Sequence, residues 1–155
     1  MKYLLDTNIC IYIVNKRPKE IIEKFKKFEP GEIGISTITV SELHYGISRS
    51  RHQKKKQLRL EEFLAPLEIL DYDGEAAGAY GDIRFELEKL GRPIGPLDLL
   101  IAARAASRGL ILVTNNDKEF NRIKKLIVEN WTKSLSRGDL VTRAGTKRWR
   151  AKCPR

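Results

Sequence analysis

The sequence contains little cysteine and little histidine. Among 155 residues there are two of each, Cys10 and Cys153, and His44 and His52. No cysteine has another cysteine or a histidine at metal-ligand spacing, so the sequence predicts neither a disulfide framework nor a zinc site. We therefore expect reduced thiols, as in a cytoplasmic protein, with Cys10 packed inside. We expect both histidines to be surface or packing residues, which leaves no serine or cysteine nucleophile with a histidine base.

Long apolar runs are also absent. No stretch approaches the roughly 18 apolar residues that a membrane-spanning helix needs. Asp6 interrupts the apolar run at residues 3–5, so we expect neither a signal peptide nor membrane association. The glycine-containing turn at residues 91–96 lacks the Lys-Ser/Thr ending of a P-loop, which excludes that kind of phosphate site.

Positive charge is concentrated at the end of the chain. The net charge is +10, and residues 132–155 carry seven of these charges, with eight Lys or Arg and one acid, Asp139. Residues 1–131 are nearly balanced, so overall basicity is poor support for nucleic-acid binding by this part. The few apolar residues after 131 show no helical or alternating period. We therefore expect one domain over residues 1–131 and a poorly ordered basic extension over residues 132–155.

Apolar periodicity predicts strands that alternate with helices. This alternation is typical of an α/β fold, in which right-handed crossovers join parallel strands and helices cover both faces of the sheet. Strands are predicted at residues 3–5, 33–36, 67–70, 110–114 and 126–128, and helices at 9–14, 19–28, 38–47, between the basic run 49–56 and residue 64, at 74–90 and at 97–107, with a loop or short helix at 115–122.

Several acidic residues follow the predicted strands. Asp6 ends the first strand, and Glu42 lies one turn into the helix after the second. Asp98 opens the helix before the strand at 110–114, and Asp117 and Glu119 follow that strand. Ligands of open α/β sheets bind at the carboxyl ends of the strands. We therefore expect at least three of these acids to meet at one edge of the sheet.

Each acid also has a purely structural interpretation. Asp6 could cap the first helix, and Glu42 ends the segment Thr39-Val40-Ser41-Glu42, which matches a capping box. Asp98 lies in a first helical turn, where the helix dipole favours an acid. Glu119 lies three residues after Asn116, in the pattern of a cap followed by an acid.

If several of these acids meet at one edge of the sheet, the structural interpretation of each acid alone does not explain how their charges are balanced. Two carboxylates about 4 Å apart repel by roughly 4 kcal/mol at an effective dielectric constant of 20, so a cluster of three or four needs a cation. Oxygen ligands without thiolate or imidazole select Mg²⁺, for which Mn²⁺ can substitute. Such a site suits hydrolysis of phosphodiester bonds, because the ion orients the phosphate, activates a water and neutralises developing charge.

Five segments resemble the PIN-domain ribonucleases, specifically the VapC toxins of bacterial toxin–antitoxin pairs. Together they keep the order and spacing of that family's acidic motifs over residues 1–131. They are YLLDTN (3–8), STITVSEL (36–43), IGPLDLLIAA (94–103), LVTNN (112–116) with Glu119-Phe120, and VENW (128–131).

The resemblance implies a three-layer α/β/α sandwich with a parallel sheet of four or five strands, and Mg²⁺-dependent cleavage of RNA. It implies that Asp6, Glu42 and Asp98 bind the metal and are catalytic. Many relatives have an aspartate where this chain has Asn116. We therefore assign the fourth acidic position to Glu119 and leave Asp117 as the alternative. Thr114, Asn116 and Asp117 are expected to support the site, with the Thr114 hydroxyl orienting an acid or a water.

The resemblance also implies partners and a substrate. VapC toxins resemble homodimers held by a cognate antitoxin whose tail occupies the active-site groove, and similar members cut transfer RNA, often in the anticodon loop. Relatives that end in VENW normally stop there, which makes residues 132–155 an addition. The basic run near residue 54 supplies further candidates for RNA binding, against the alternative of a solvated helix face: Lys54, Lys55, Lys56 and Arg59.

Two other functions compete with a nuclease. A non-catalytic PIN-like module would hold RNA or a protein with its basic segments, but such a module is marked by lost acids, and Asp6, Glu42 and Asp98 are intact. An aspartate-nucleophile phosphatase would also place an aspartate after the first strand. That chemistry usually needs a second aspartate two residues later, and position 8 is Asn8.

Overall fold

Five short strands form one parallel sheet. The protein is described here by a computed structural model that covers residues 1–132. The sheet order is β3-β2-β1-β4-β5, and each neighbouring pair is parallel. The strands are β1 (Tyr3–Leu5), β2 (Ile33–Ser36), β3 (Glu68–Leu70), β4 (Ile111–Val113) and β5 (Ile127–Glu129).

The direction of sheet growth changes beside β1. Strands β2 and β3 extend the sheet on one side of β1, and β4 and β5 extend it on the other. Connections that leave β1 and β4 therefore diverge and open a crevice at their carboxyl ends, which is where open α/β sheets bind ligands. Asp6 follows β1, and Thr114 follows β4. Both residues therefore lie at this crevice.

Helices cover both faces of the sheet. Leu4 belongs to one core cluster, with residues of the helices at 74–89 and 96–107, whereas Tyr3 and Leu5 belong to a second cluster on the other face. This alternation follows from the two-residue period of a strand. The helices in the described residues are α1 (Thr7–Val14), α2 (Lys19–Phe25), α3 (Thr37–Ser48), α4 (Gln53–Leu64), α5 (Gly74–Lys89), α6 (Pro96–Ser107) and α7 (Asp117–Phe120).

The predicted α/β/α sandwich is confirmed, with five strands in its sheet. The predicted end of α2 at residue 28 is wrong, because the helix ends at Phe25. Phe28 instead packs its ring against Tyr3 and Trp131, with centroid separations of 4.9 and 5.3 Å. The turn at 115–122 contains the four-residue helix α7. Tertiary contacts of Phe28 therefore override the local helical pattern.

Several expectations concern burial and the chain end. Cys10 is buried with a free thiol, as predicted. Within residues 1–132, no helix is both long and apolar enough to cross a bilayer. Of the predicted extension at 132–155 only Thr132 is described, and its backbone N–H donates to the Asn130 side chain at 2.8 Å. The predicted poor order of that extension, and Cys153, fall outside the described residues.

Candidate metal-binding site

Asp6 is fixed at the junction of β1 and α1. Its backbone N–H donates to the Val113 carbonyl at 3.0 Å. One side-chain oxygen accepts from the Thr7 N–H and the other from the Thr114 hydroxyl, both at 2.7 Å. The side chain is only 2% exposed, and burial raises the pKa of Asp6 against the opposing effect of these two hydrogen bonds. Asp6 therefore caps α1, as one interpretation predicted, and also presents a constrained carboxylate.

Thr114 joins the end of β4 to Asp6. Its hydroxyl donates to Asp6 and accepts from the Asn116 backbone N–H at 3.0 Å. Thr114 is fully buried, so this hydroxyl has a fixed direction. The Thr114 hydroxyl therefore restricts the orientation of the Asp6 carboxylate. Asn116 contributes to it through its backbone.

Glu42 reaches the crevice from α3. The N-cap of α3 is Ser36, whose hydroxyl oxygen accepts from the Thr39 N–H at 3.0 Å. Thr39 is thus the third residue of the helix, and the capping-box interpretation of Thr39–Glu42 is wrong. The Glu42 carboxylate instead accepts a short hydrogen bond from the Thr7 hydroxyl. It therefore lies next to the residue that follows Asp6, and its charge adds to the raised pKa of Asp6.

Asp98 enters from the first turn of α6. The helix begins at Pro96 after the N-cap Gly95, where a Cβ atom would lie 3.5 Å from the nearer Asp98 carboxylate oxygen. The pKa of Asp98 is raised to about 6, first by burial and then by the charges of Asp6, Glu119 and Glu42. Three carboxylates from three other segments therefore act on this one. Asp6, Glu42, Asp98 and Glu119 form what we call the carboxylate cluster.

Glu119 and Asp117 lie on α7 but make different contacts. Glu119 acts on Asp98, as part of the carboxylate cluster. Asp117 accepts a hydrogen bond at 3.0 Å from the side chain of Asn130, which also donates to the Asn115 carbonyl at 3.5 Å. Asp117 thus helps to hold α7 against the end of β5.

The carboxylate cluster suits a hard divalent cation. Within residues 1–132, no three His, Cys, Asp or Glu side chains form a ready-made metal site. The cluster nevertheless offers only oxygen donors, which Mg²⁺ and Mn²⁺ prefer. Burial and then repulsion by the other three acids raise the pKa of Asp98, and a cation among the four groups would offset that repulsion. The residues that would hold it are those of the cluster.

The basic residues proposed for RNA binding lie on α4. All four, Lys54, Lys55, Lys56 and Arg59, are exposed, and the buried face of α4 carries Leu60 and Phe63. Helix α4 packs on α3, which supplies Glu42. The structure therefore places these cations on the neighbouring helix and outside the carboxylate cluster.

Two features of the site were not predicted. The Thr7 hydroxyl donates to Glu42, a contact that the sequence did not indicate. Tyr12 accepts a hydrogen bond from the Asn115 side chain at 3.0 Å, which ties α1 to the loop after β4. Thr7 lies in the motif that carries Asp6, so its position signalled proximity to the site. Nothing in the sequence around Tyr12 indicated its contact.

Comparison with known proteins assigns a family. The sequence model of the PIN-domain family matches residues 3–126 of this chain. The chain is 47% identical over 131 residues to "Ribonuclease VapC2" of Haemophilus influenzae, covering 84% of this chain and 98% of that protein. It is 43% identical over 132 residues to "tRNA(fMet)-specific endonuclease VapC" of Shigella flexneri, covering 85% and 99% of the two chains.

A solved structure has the same fold. It is the crystal structure of VapBC2 from Rickettsia felis, bound to a DNA fragment from the VapBC2 promoter. The TM-score is 0.80 and the sequence identity is 45%, over 84% of this chain and 99% of the other. The PIN-domain match at residues 3–126 spans every element that carries the carboxylate cluster.

Proposed function

This chain belongs to the PIN-domain family and is a VapC endoribonuclease, for which we propose Mg²⁺-dependent hydrolysis of transfer RNA at the carboxylate cluster. The observation that carries this proposal is the geometry at the strand ends, where Thr7 and Thr114 hold Asp6 and the Thr7 hydroxyl donates to Glu42. Four acids that converge at the carboxyl ends of β1 and β4 supply a cation site where a phosphodiester can bind.

Hydrogen bonds hold two of these acids, Asp6 and Glu42, in fixed positions. Thr114 and the Thr7 backbone orient the two oxygens of Asp6, and the Thr7 hydroxyl orients Glu42. Each carboxylate oxygen keeps a further lone pair that can face an ion. A bound Mg²⁺ supplies activation of a water and neutralisation of phosphate charge. Mn²⁺ is expected to substitute, since the same oxygen donors suit it.

Transfer RNA is the proposed substrate class, cut in the anticodon loop. Support comes from the Shigella flexneri relative, which is named a tRNA(fMet)-specific endonuclease. A single-stranded loop is also where proteins can read unstacked bases. The initiator transfer RNA is therefore the first substrate to test.

The proposed partners are a cognate antitoxin and a second copy of the chain. The Rickettsia felis structure is of a VapBC2 complex, which supports an antitoxin. The homodimer rests on the family resemblance. We place the protein in the cytoplasm, where reduced thiols such as Cys10 and the RNA substrate are found.

The test is cleavage of labelled tRNA(fMet) by the purified protein, with Mg²⁺ or with excess chelator. We expect one cut with Mg²⁺, and none with chelator. Binding without cutting in Mg²⁺ would support the non-catalytic module instead. The family assignment disfavours a phosphatase. A phosphatase would release inorganic phosphate from a phosphomonoester in the same assay.

Basic residues on α4 are proposed to contact the RNA backbone. We expect the double variant Lys55→Ala with Lys56→Ala to weaken tRNA binding, because each lost phosphate contact removes about 0.7–0.9 from the slope of log affinity against log salt. The matched control is Lys26→Ala with Lys27→Ala, which removes two exposed lysines after α2. If both double variants keep the parental slope, this face of α4 is only solvated. Lys54 and Arg59 are then tested in the same way.

Residues 132–155 are proposed to be dispensable for the chemistry. The relatives support this, because 131 residues of alignment cover 98% of the Haemophilus influenzae protein. A chain truncated after Thr132 should keep the cut site and its melting temperature within a few degrees. It loses seven net positive charges, so binding at low salt should weaken. Failure to fold, or a new cut site, would assign the extension to the domain.

A further inference from the structure

A small cavity lies between the second half of α5 and the start of α6. Its volume is about 230 Å³. Complete small-molecule sites begin at about 300 Å³, so this cavity has room for part of a ligand. Its lining combines one aromatic ring and one guanidinium group with apolar side chains, and includes Tyr80, Arg84, Pro93, Ile94, Pro96 and Leu99.

The cavity shares a loop with the carboxylate cluster. Pro93, Ile94 and Pro96 line the cavity. Between them, Gly95 lies against Asp98, where an added Cβ would be 3.5 Å from a carboxylate oxygen. One side of this loop therefore touches a proposed metal ligand while its flanking residues form a wall of the cavity. A group bound in the cavity would therefore contact the short loop that leads into Asp98.

Tyr80 and Arg84 form an ordered pair on α5. The guanidinium carbon lies 6.0 Å from the centre of the Tyr80 ring, and the guanidinium donates to the Tyr80 hydroxyl at 3.3 Å. The Arg84 Nε donates to Glu88 at 2.8 Å, so its charge is already paired. A paired guanidinium is a poor clamp for phosphate but keeps its flat face. The pair therefore suits a flat, uncharged ring.

We propose that this cavity binds one unpaired base of the RNA substrate, stacked on Tyr80 and the face of Arg84. The inference rests on the proposed ribonuclease function and adds a base subsite to it. Aromatic rings and arginine planes are the usual stacking partners of splayed RNA bases. The base would fix which nucleotide next to the cut bond enters the site, and would thereby contribute to the choice of cut position.

Substitution of Tyr80 tests the subsite. Loss of one base stack lowers affinity by about 5- to 150-fold, and we expect Tyr80→Ala to weaken binding of tRNA(fMet) in chelator by a factor in this range. Tyr80→Phe should keep most of the affinity, because it keeps the ring. The matched control is Phe85→Ala, which removes an exposed ring from the same helix outside this cavity. That control should bind and cut as the parent does.

An abasic substrate identifies the base. RNA oligonucleotides that carry one abasic position at each site around the cut are measured with the parent and with Tyr80→Ala. At one position, the abasic change should weaken binding to the parent as much as Tyr80→Ala does. The two changes together should then cost no more than one alone, because both remove the same stack.

Four outcomes would overturn the inference. If the Tyr80→Ala variant binds and cuts RNA as the parent does, no base stacks in the cavity. The proposed function would still stand. Fully additive effects at every abasic position would do the same. A changed molecular mass of Tyr80→Ala in solution, with the affinity loss following that change, would make the cavity a contact between two copies. A parent that neither binds nor cuts RNA would overturn both proposals.

Discussion

Asp98→Asn is expected to lower the single-turnover rate constant of RNA cleavage by more than about 100-fold, because loss of a supporting residue alone commonly costs about 10–100-fold at a metal site. Asp98 is the acid on which the three others act, so its carboxylate is central to the carboxylate cluster. The amide keeps the size of the side chain but carries no negative charge. The measurement is single-turnover cleavage of tRNA(fMet) in saturating Mg²⁺.

The same substitution should change the stability of the metal-free protein in a pH-dependent way. The pKa of Asp98 is about 6 in the folded protein and 3.8 in the reference state, so folding favours the protonated form. That contribution is complete below about pH 4 and is lost as the pH rises through 6. Because the group is partly exposed, its size is about 1 kcal/mol after allowance for solvent screening. Asp98→Asn should flatten the fall in melting temperature between pH 4 and pH 7.

The control for both measurements is Asp82→Asn, which removes an exposed carboxylate from α5. It should leave the cleavage rate and the pH dependence of melting as in the parent. Cleavage by Asp98→Asn at the parental rate would remove Asp98 from the catalytic site. A melting curve whose pH dependence matched that of the parent would show that Asp98 does not repel the other acids.

The pattern of apolar residues predicted the elements of this fold well. The buried run at residues 3–5 and the start of α5 at Gly74 follow directly from local sequence, and both agree with the structure. The end of α2 does not follow from local sequence, since Phe28 packs against Trp131, which lies 103 positions away in the chain. Strand order likewise depends on contacts between segments that are distant in sequence. Local periodicity carries no information on either.

The location of the site could be predicted from the rule that open α/β sheets bind ligands at the carboxyl ends of their strands. That rule predicted that at least three of five acids would meet at one edge of the sheet, and the structure brings Asp6, Glu42, Asp98 and Glu119 together. It did not separate Asp117 from Glu119, because two residues on one short helix share the same place in the sequence pattern. Their different contacts arise from the direction of each side chain on α7, which the packing of α7 against β5 determines.

Glu119→Gln is expected to reduce cleavage by about 10–100-fold, whether Glu119 meets the ion directly or through a water. Its negative charge also raises the pKa of Asp98. Removing that charge should therefore lower the pKa of Asp98 in the metal-free protein below its parental value near 6. Cleavage rates measure the first effect, and NMR titration of the Asp98 carboxyl measures the second.

Asp117→Asn is the matched comparison, because it removes one charge from the same helix. The amide oxygen still accepts the hydrogen bond that Asn130 donates to Asp117. We therefore expect cleavage within about threefold of the parental rate, since the hydrogen bond that holds α7 against β5 is kept. If Asp117→Asn is the more damaging change and Glu119→Gln leaves both the rate and the pKa of Asp98 at their parental values, Asp117 is the fourth acid. Helix α7 would then have to turn Asp117 away from Asn130 when the ion binds.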